Sequence, residues 1–261
     1  MFYVGLHQPS DAKHFDHAFV SVNRIRGRKK AIGAKAWIMD SGAFTEISQH
    51  GTYRHSVAEY AAEINRWADD PALVAAVAQD YMCEPFIIEK TGLSVEEHQR
   101  LTIERYDALV ALVDPRVYIM PVLQGYTVAD YLRHLEVYGH RLVRDAYVGV
   151  GSICKRNADI GAIEEILTAI KRKRPDLRLH GFGLKTTALS SWVVRDCLHS
   201  ADSMAWSFAA RRQGRNANDW QEAMAFIQRI RVKPTQLAMK FDSCALSSAE
   251  RNADEKGGEG Q

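Results

Sequence analysis

The sequence predicts an α/β protein, a single-domain (β/α)₈ barrel of the TIM type. Three observations carry that expectation. Short apolar runs alternate with helix-period segments, and alternating β and α units imply a parallel sheet with both faces covered. Eight strand candidates fall within 261 residues, 46% of them hydrophobic, a size common to single barrels. Several runs end in a carboxylate or a glycine, and in a barrel the strand C-termini share one mouth, where chemistry sits. A doubly wound open sheet is the alternative. It is disfavoured because no GxGxxG opens a helix after the first strand, and Gly149-Val150-Gly151 lacks the third glycine.

In chain order, residues 2–6 read as a first strand and 11–15 as a helical turn. Residues 19–23 alternate and end in polar Asn23, giving a second strand. A basic loop follows. Trp37-Ile38-Met39 then runs straight into Asp40-Ser41-Gly42, a buried strand ending in a carboxylate, with a glycine that permits a sharp turn or a close approach. A carboxylate at the mouth of a buried strand is costly unless hydrogen-bonded or used. Its alternative reading is an Asx-turn that closes the strand. Ser56 with Glu59 forms a capping box for a helix carrying Tyr60, Ile64 and Trp67. Residues 73–80 are a fourth strand ending in Asp80, and Ser94 with Glu97 caps a helix running to about Val113. The fifth strand, 117–125, ends in Gln124-Gly125 and contains Pro121, which cannot donate to a ladder and predicts an irregularity. Helices are expected over 129–140, 159–173, 189–199 and 218–230, and strands over 147–152, 177–183 and 201–206. The barrel is expected over 1–246. Residues 247–261 are polar, carry little to bury, and read as a disordered tail.

Composition excludes several classes. No apolar run approaches the roughly 20 residues that span a bilayer. Residues 1–6 lack a basic region followed by a long apolar one, so no signal peptide is expected. The four cysteines are scattered without a CxxC pair, so neither a structural zinc nor any other metal or cofactor is expected, and a cytoplasmic protein with reduced thiols is the simplest account. The net charge is only +2, yet basic residues cluster around Arg24 and Arg26, at Lys155-Arg156, at 171–174, and at Arg211, Arg212 and Arg215. Such clusters form a phosphate-binding face on a nearly neutral protein, or are solvated loops and helix ends.

The strand ends place Asp40-Ser41, Asp80, Gln124-Gly125, Gly149 to Ser152 and His180 to Gly183 at the mouth, with Asp202 near the start of the last strand. Carboxylates with a carboxamide suit the donor and acceptor edges of a nucleobase. A carboxylate pair also suits cleavage at an oxocarbenium-like sugar carbon. No Ser/His/Asp order and no metal triad is present.

These residues resemble the tRNA-guanine transglycosylase superfamily, especially its DNA-acting branch that inserts 7-deazaguanines. Asp40-Ser41-Gly42-Ala43-Phe44 is similar to the family's Asp-Ser-Gly-Gly-Phe motif, whose Asp is catalytic. Asp80 to Pro85 resembles the segment whose Asp reads the base edge. Val122-Leu123-Gln124-Gly125 resembles the base-binding Val-Gln-Gly-Gly motif. Val148 to Gly151 resembles the glycine loop at the base carbonyl. Residues 201–207, followed by 211–216, resemble the strand carrying the Asp nucleophile and the basic segment after it. The five matches run in order from about residue 36 to 218. The tRNA enzymes' Cys-rich zinc site has no counterpart here, and the shorter chain argues against a tRNA platform.

The resemblance implies an enzyme that flips a nucleotide of DNA into the mouth and breaks its N-glycosidic bond. Asp40 and Asp202 are the catalytic candidates. Ser41, Gly42, Asp80, Gln124, Gly125, Gly149 and His180 are the base-binding candidates, with Arg24, Arg26, Lys155, Arg156, Arg211, Arg212 and Arg215 toward the nucleic acid. Trp206 and Tyr126 are stacking candidates, Trp206 more readily a barrel-core residue. His180 is equally a satisfied buried histidine, and His180 and Arg156 alike are candidates for the base or a phosphate. If Asp202 matches the first Asp of the family's two-Asp motif, the nucleophile position falls on Ala205. Water then becomes the acceptor, and the first expectation is hydrolytic excision of a modified base, leaving an abasic site, a reaction suited to defence against phages. The alternative is base exchange through an Asp202 intermediate, with a free nucleobase as co-substrate. The third reading is a barrel that binds nucleic acid without catalysis.

Overall fold

The structure is a computed structural model that describes residues 1–156 and 159–232, with side chains described to residue 230. The predicted tail lies outside the described residues. Nine strands form one parallel sheet: β1 Phe2–Gly5, β2 His17–Ser21, β3 Ala36–Asp40, β4 Leu73–Val77, β5 Ile119–Met120, β6 Val122–Leu123, β7 Tyr147–Val150, β8 Arg178–Gly181 and β9 Leu198–Ser203. Their order is β5-β4-β3-β2-β1-β9-β8-β7-β6, and every pair is parallel. β5 and β6 are one run interrupted at Pro121, so nine segments occupy eight positions and close a TIM-like barrel. Met120 O accepts the Ala78 N–H (3.0 Å) on one side, and Pro121 O accepts the Gly149 N–H (2.9 Å) on the other. The interruption falls at the residue that has no N–H to give.

Side chains alternate between two layers. Tyr3, Phe19, Ile38, Val77, Met120 and Tyr147 fill the barrel interior. Outward residues pack on helices. Trp37 meets Tyr60, Ile64 and Trp67, for example, while Val148 and Leu179 meet Ile163, Leu167 and Tyr131. The longer helices start where their caps predict. α3 (Val57–Asn65) and α5 (Val95–Leu112) carry the expected capping boxes, and α6 (Val128–Tyr138) carries a third, Thr127 with Asp130. Asp159 caps α7 (Ile160–Lys173). Such caps stabilise a helix by about 1 kcal/mol each.

Five helices and two strands depart from expectation. α1 (Val22–Ile25), α2 (Ala43–His50) and α9 (Ala205–Arg212) begin within three residues of a strand end, α4 (Pro85–Thr91) begins eight residues after β4, and all four are too short for a helical period to stand out. The second strand therefore ends at Ser21, and Val22 and Asn23 are helical. The helix expected over 189–199 is only α8 (Trp192–Cys197), and β9 begins at Leu198 instead of 201. Asp202 consequently lies at the C-terminal end of its strand, not at the start. The polar His199 and Ser200 hid the true start, because Ser200 faces a polar interior. α10 (Trp220–Val232) is the last described helix. No helix among the described residues is long and apolar enough to cross a membrane.

Candidate active site

Asp40 and Asp202 project at the mouth from β3 and β9. Ser21, paired in register with Asp40, hydrogen-bonds its carboxylate, and so does the Gly42 N–H. Gly42 is left-handed (φ 76°), and a Cβ there would fall 2.5 Å from Asn23 Nδ2, so the turn that brings this N–H to Asp40 requires glycine. Burial and the nearby charge of Asp202 push the Asp40 pKa up to about 6. Asp202 is 6% exposed. Its Oδ1 accepts the Gly183 N–H (3.0 Å) and faces His180 Nε2 at 3.3 Å. His180 is fully buried under the mouth, stacked on Phe19 (ring centroids 5.5 Å apart), with Nδ1 2.8 Å from Ser200 Oγ and 3.1 Å from the Tyr147 hydroxyl. These contacts fix the ring, and the ring fixes Asp202.

Asp80 lies across the mouth, just past β4, in a different setting. Burial, with Asp40 and Glu84 nearby, pushes its pKa up to about 7 against the opposing hydrogen bond from Gln124. Gln124 Nε2 donates to Asp80, and Gln124 Oε1 lies 2.7 Å from Ser152 Oγ. Ser152 Oγ also lies 2.9 Å from Glu84 Oε2 and accepts the Cys83 N–H (2.8 Å), so its single proton serves either Gln124 or Glu84. The backbone of Gln124 is held as firmly. Its N–H donates to His134 Nδ1 (2.8 Å), and its carbonyl accepts from Gln99 Nε2 (2.7 Å). Burial pushes the His134 pKa down to about 3, so the ring is neutral and accepts. A Cβ at Gly151 would lie 2.1 Å from Gln124 Nε2, which explains that glycine. Ser152 carries a positive φ of 55°, a strained conformation for a non-glycine residue next to the site.

The remaining predicted residues are placed as follows. Ser41, the residue after Asp40, is buried, and its hydroxyl faces that of Tyr53. Gly149 makes room for the Phe182 ring, 2.4 Å from where its Cβ would be, and Gly125 for Asp130 at the start of α6 (2.8 Å). Trp206 is 2% exposed and donates its indole N–H to Gly5 O (2.9 Å), so it belongs to the core. Tyr126 is exposed, with the Arg156 guanidinium 3.9 Å from its ring centroid. Arg24 and Arg211 are exposed and converge on His7, whose pKa is lowered by burial and then by these two cations. Arg26 is only partly exposed, its Nε buried without a partner. Lys155 is exposed on the turn after β7. Arg212 and Arg215 line a cleft of about 520 Å³ together with Lys185 and Arg229. A second cleft, about 610 Å³, opens at the opposite end of the barrel beside Phe2, His17 and Leu198, away from the carboxylates.

Sequence reasoning missed Glu84 and His7 as site residues, and placed Ser152 at the mouth without giving it a role. Glu84 sits inside the segment Asp80 to Pro85, where it precedes Pro85, a helix-start signal, and Ser152 directly follows the glycine run Val148 to Gly151. His7 lies two residues past the end of β1, and extending the registered pairs Gly5–Phe19 and Phe19–Ile38 brings it level with Ser21 and Asp40.

The fold is a barrel of the tRNA-guanine transglycosylase type with its carboxylates at the strand C-termini. The family model of DpdA, DeoxyPurine in DNA protein A, matches residues 1–245, and the chain belongs to that family. It is thereby a transglycosylase-like enzyme of the glycosyltransferase class that acts on DNA. No curated protein matches it.

Proposed function

We propose that the protein exchanges a purine base of DNA for a free 7-deazaguanine through a covalent intermediate on Asp202. The observation that carries this reading is the position of Asp202: at the mouth, anchored through one oxygen, and within electrostatic reach of Asp40. Ala205, the other position the sequence offered, begins α9 and has no nucleophile.

The nucleotide flips out of the strand into the mouth. The Asp202 carboxylate forms a bond to C1′ of the deoxyribose while the C1′–N bond breaks. That electron pair passes to the leaving base, which takes a proton from Asp40. A group with a pKa of about 6 is protonated often enough near neutrality to do this, and basic enough afterwards to take a proton back. The incoming 7-deazaguanine gives its N–H proton to Asp40, its nitrogen bonds to C1′, and the Asp202–C1′ bond breaks to restore the carboxylate. Asp80 and Gln124 hold the base edge. Arg24 and Arg211 meet phosphates.

The test uses end-labelled DNA with and without free 7-deazaguanine. A denaturing gel should show a protein–DNA adduct without the incoming base, lost in Asp202→Asn, and mass spectrometry should find the new base in the DNA when it is supplied. Alkali-labile abasic sites formed without an added base, and no adduct, would replace exchange with hydrolysis. Binding without any base release would leave a non-catalytic barrel.

A further inference from the structure

Three exposed aromatic rings and two cations line one side of the mouth, and the chemistry above uses none of the rings. Phe44 is in the first turn of α2, Phe86 in the first turn of α4, and Tyr126 lies three residues past the end of β6. They are 44%, 45% and 39% exposed. Lys155 Nζ sits 4.6 Å from the Phe44 centroid and 6.0 Å from that of Phe86, while Arg156 covers Tyr126. The rings are not loosely held. Ala43, Ile47, Tyr53, Tyr81, Met82 and Ile87 form a separate small core under α2 and α4, so both phenyl groups stand on a packed platform. Large apolar rings in water cost free energy unless something covers them.

We propose that this rim is a groove for an unpaired stretch of DNA beside the flipped nucleotide, and that the enzyme therefore prefers single-stranded to duplex DNA. The proposal rests on the DNA-acting reading of the mouth. Charge and shape choose the occupant. Aromatic faces interleaved with cations match alternating bases and phosphates, because every base has a face to stack and every nucleotide carries one negative charge. A duplex keeps its base faces stacked on one another, so it offers phosphates to Lys155 and Arg156 but nothing to Phe44 and Phe86. The groove is continuous with the mouth, since all five residues follow the C-terminal ends of β3, β4, β6 and β7.

Fluorescence anisotropy of the full chain decides it, using a labelled oligonucleotide of about 16 nucleotides, alone and annealed to its complement. The wild type should bind the single strand at least about tenfold more tightly. Phe44→Ala/Phe86→Ala should lose about tenfold or more on the single strand and little on the duplex, the loss expected when stacking faces are removed. Phe44→Tyr/Phe86→Tyr should retain the preference, and matching thermal unfolding curves show that the variants are folded. Equal affinity for the two DNA forms, or undiminished single-strand binding by the folded alanine variant, overturns the groove. Because anisotropy needs no turnover, a wild type that binds single strands through these rings without exchanging bases refutes the exchange reading and leaves the groove standing. Base exchange undiminished by the alanine pair, with binding unchanged, does the reverse.

Discussion

Asp80 and Asp202 are each 6% exposed at the same mouth, yet their surroundings differ in kind. Asp80 ends a chain of linked side chains, Gln124, Ser152 and Glu84, with the Gln124 backbone held by His134 and Gln99. Asp202 is held through one oxygen by a backbone N–H and a ring nitrogen, with Asp40 nearby. A connected network resists rearrangement and suits recognition of a fixed donor and acceptor pattern. A carboxylate anchored on one side is preorganised yet keeps capacity for a reacting atom. The lesson is that equal burial does not mean equal role. The partners of a buried charge separate the two.

The contrast breaks most sharply at Asp202. Asp202→Asn should lower base exchange at least about a thousandfold and abolish the adduct, while DNA binding stays within about threefold, as measured by labelled-base incorporation beside anisotropy. Asp40→Asn should cost about a hundredfold or more. The wild-type pH–rate profile should inflect near 6, and that inflection should vanish in the variant, because it belongs to Asp40. Gly151→Ala sharpens the other side. A Cβ that close to Gln124 Nε2 must push the amide off Asp80, so KM for the free base should rise about tenfold while adduct formation persists, with a stability loss of about 1–3 kcal/mol. The smallest effect is on stability. The Asp80 pKa is raised above its unfolded value, so the folded state holds the proton more tightly, and stability falls as pH rises from about 4 through about 7. Asp80→Asn keeps an acceptor for Gln124 and removes that loss. Its Tm should exceed that of the wild type at pH 8 by at least about 3 °C, and the gap should close toward pH 4 in calorimetry.

Much of the fold was legible because local signals agreed with the global one. Ser56 with Glu59 and Ser94 with Glu97 started helices where the boxes stand, and Trp37-Ile38-Met39 delivered Asp40 to the mouth. What was hidden has physical reasons. Short helices such as Ala43–His50 complete barely two turns, too few for a period to emerge, and the one at Ala205–Arg212 follows a strand whose inner face is polar. Ser200 and Asp202 point into the barrel beside His180, so hydrophobic alternation failed where the site replaces the core. The Gln124–Ser152–Glu84 chain joins residues far apart in sequence, and no spacing rule reports such a contact. The carboxylates were visible one at a time. The division of labour between them was not.

The interruption at Pro121 bears on how the barrel comes apart. At that position the wall is joined to β4 through Met120 and to β7 through Pro121, with one residue changing allegiance from the first half of the chain to the second. The opposite junction, β1 with β9, runs through three registered pairs. A ring with one short clasp and one long one opens at the clasp. Amide protons of Ala78 and Gly149 should therefore exchange with solvent before those along β1, and the two half-barrels should part at the clasp while still hinged on β1 and β9.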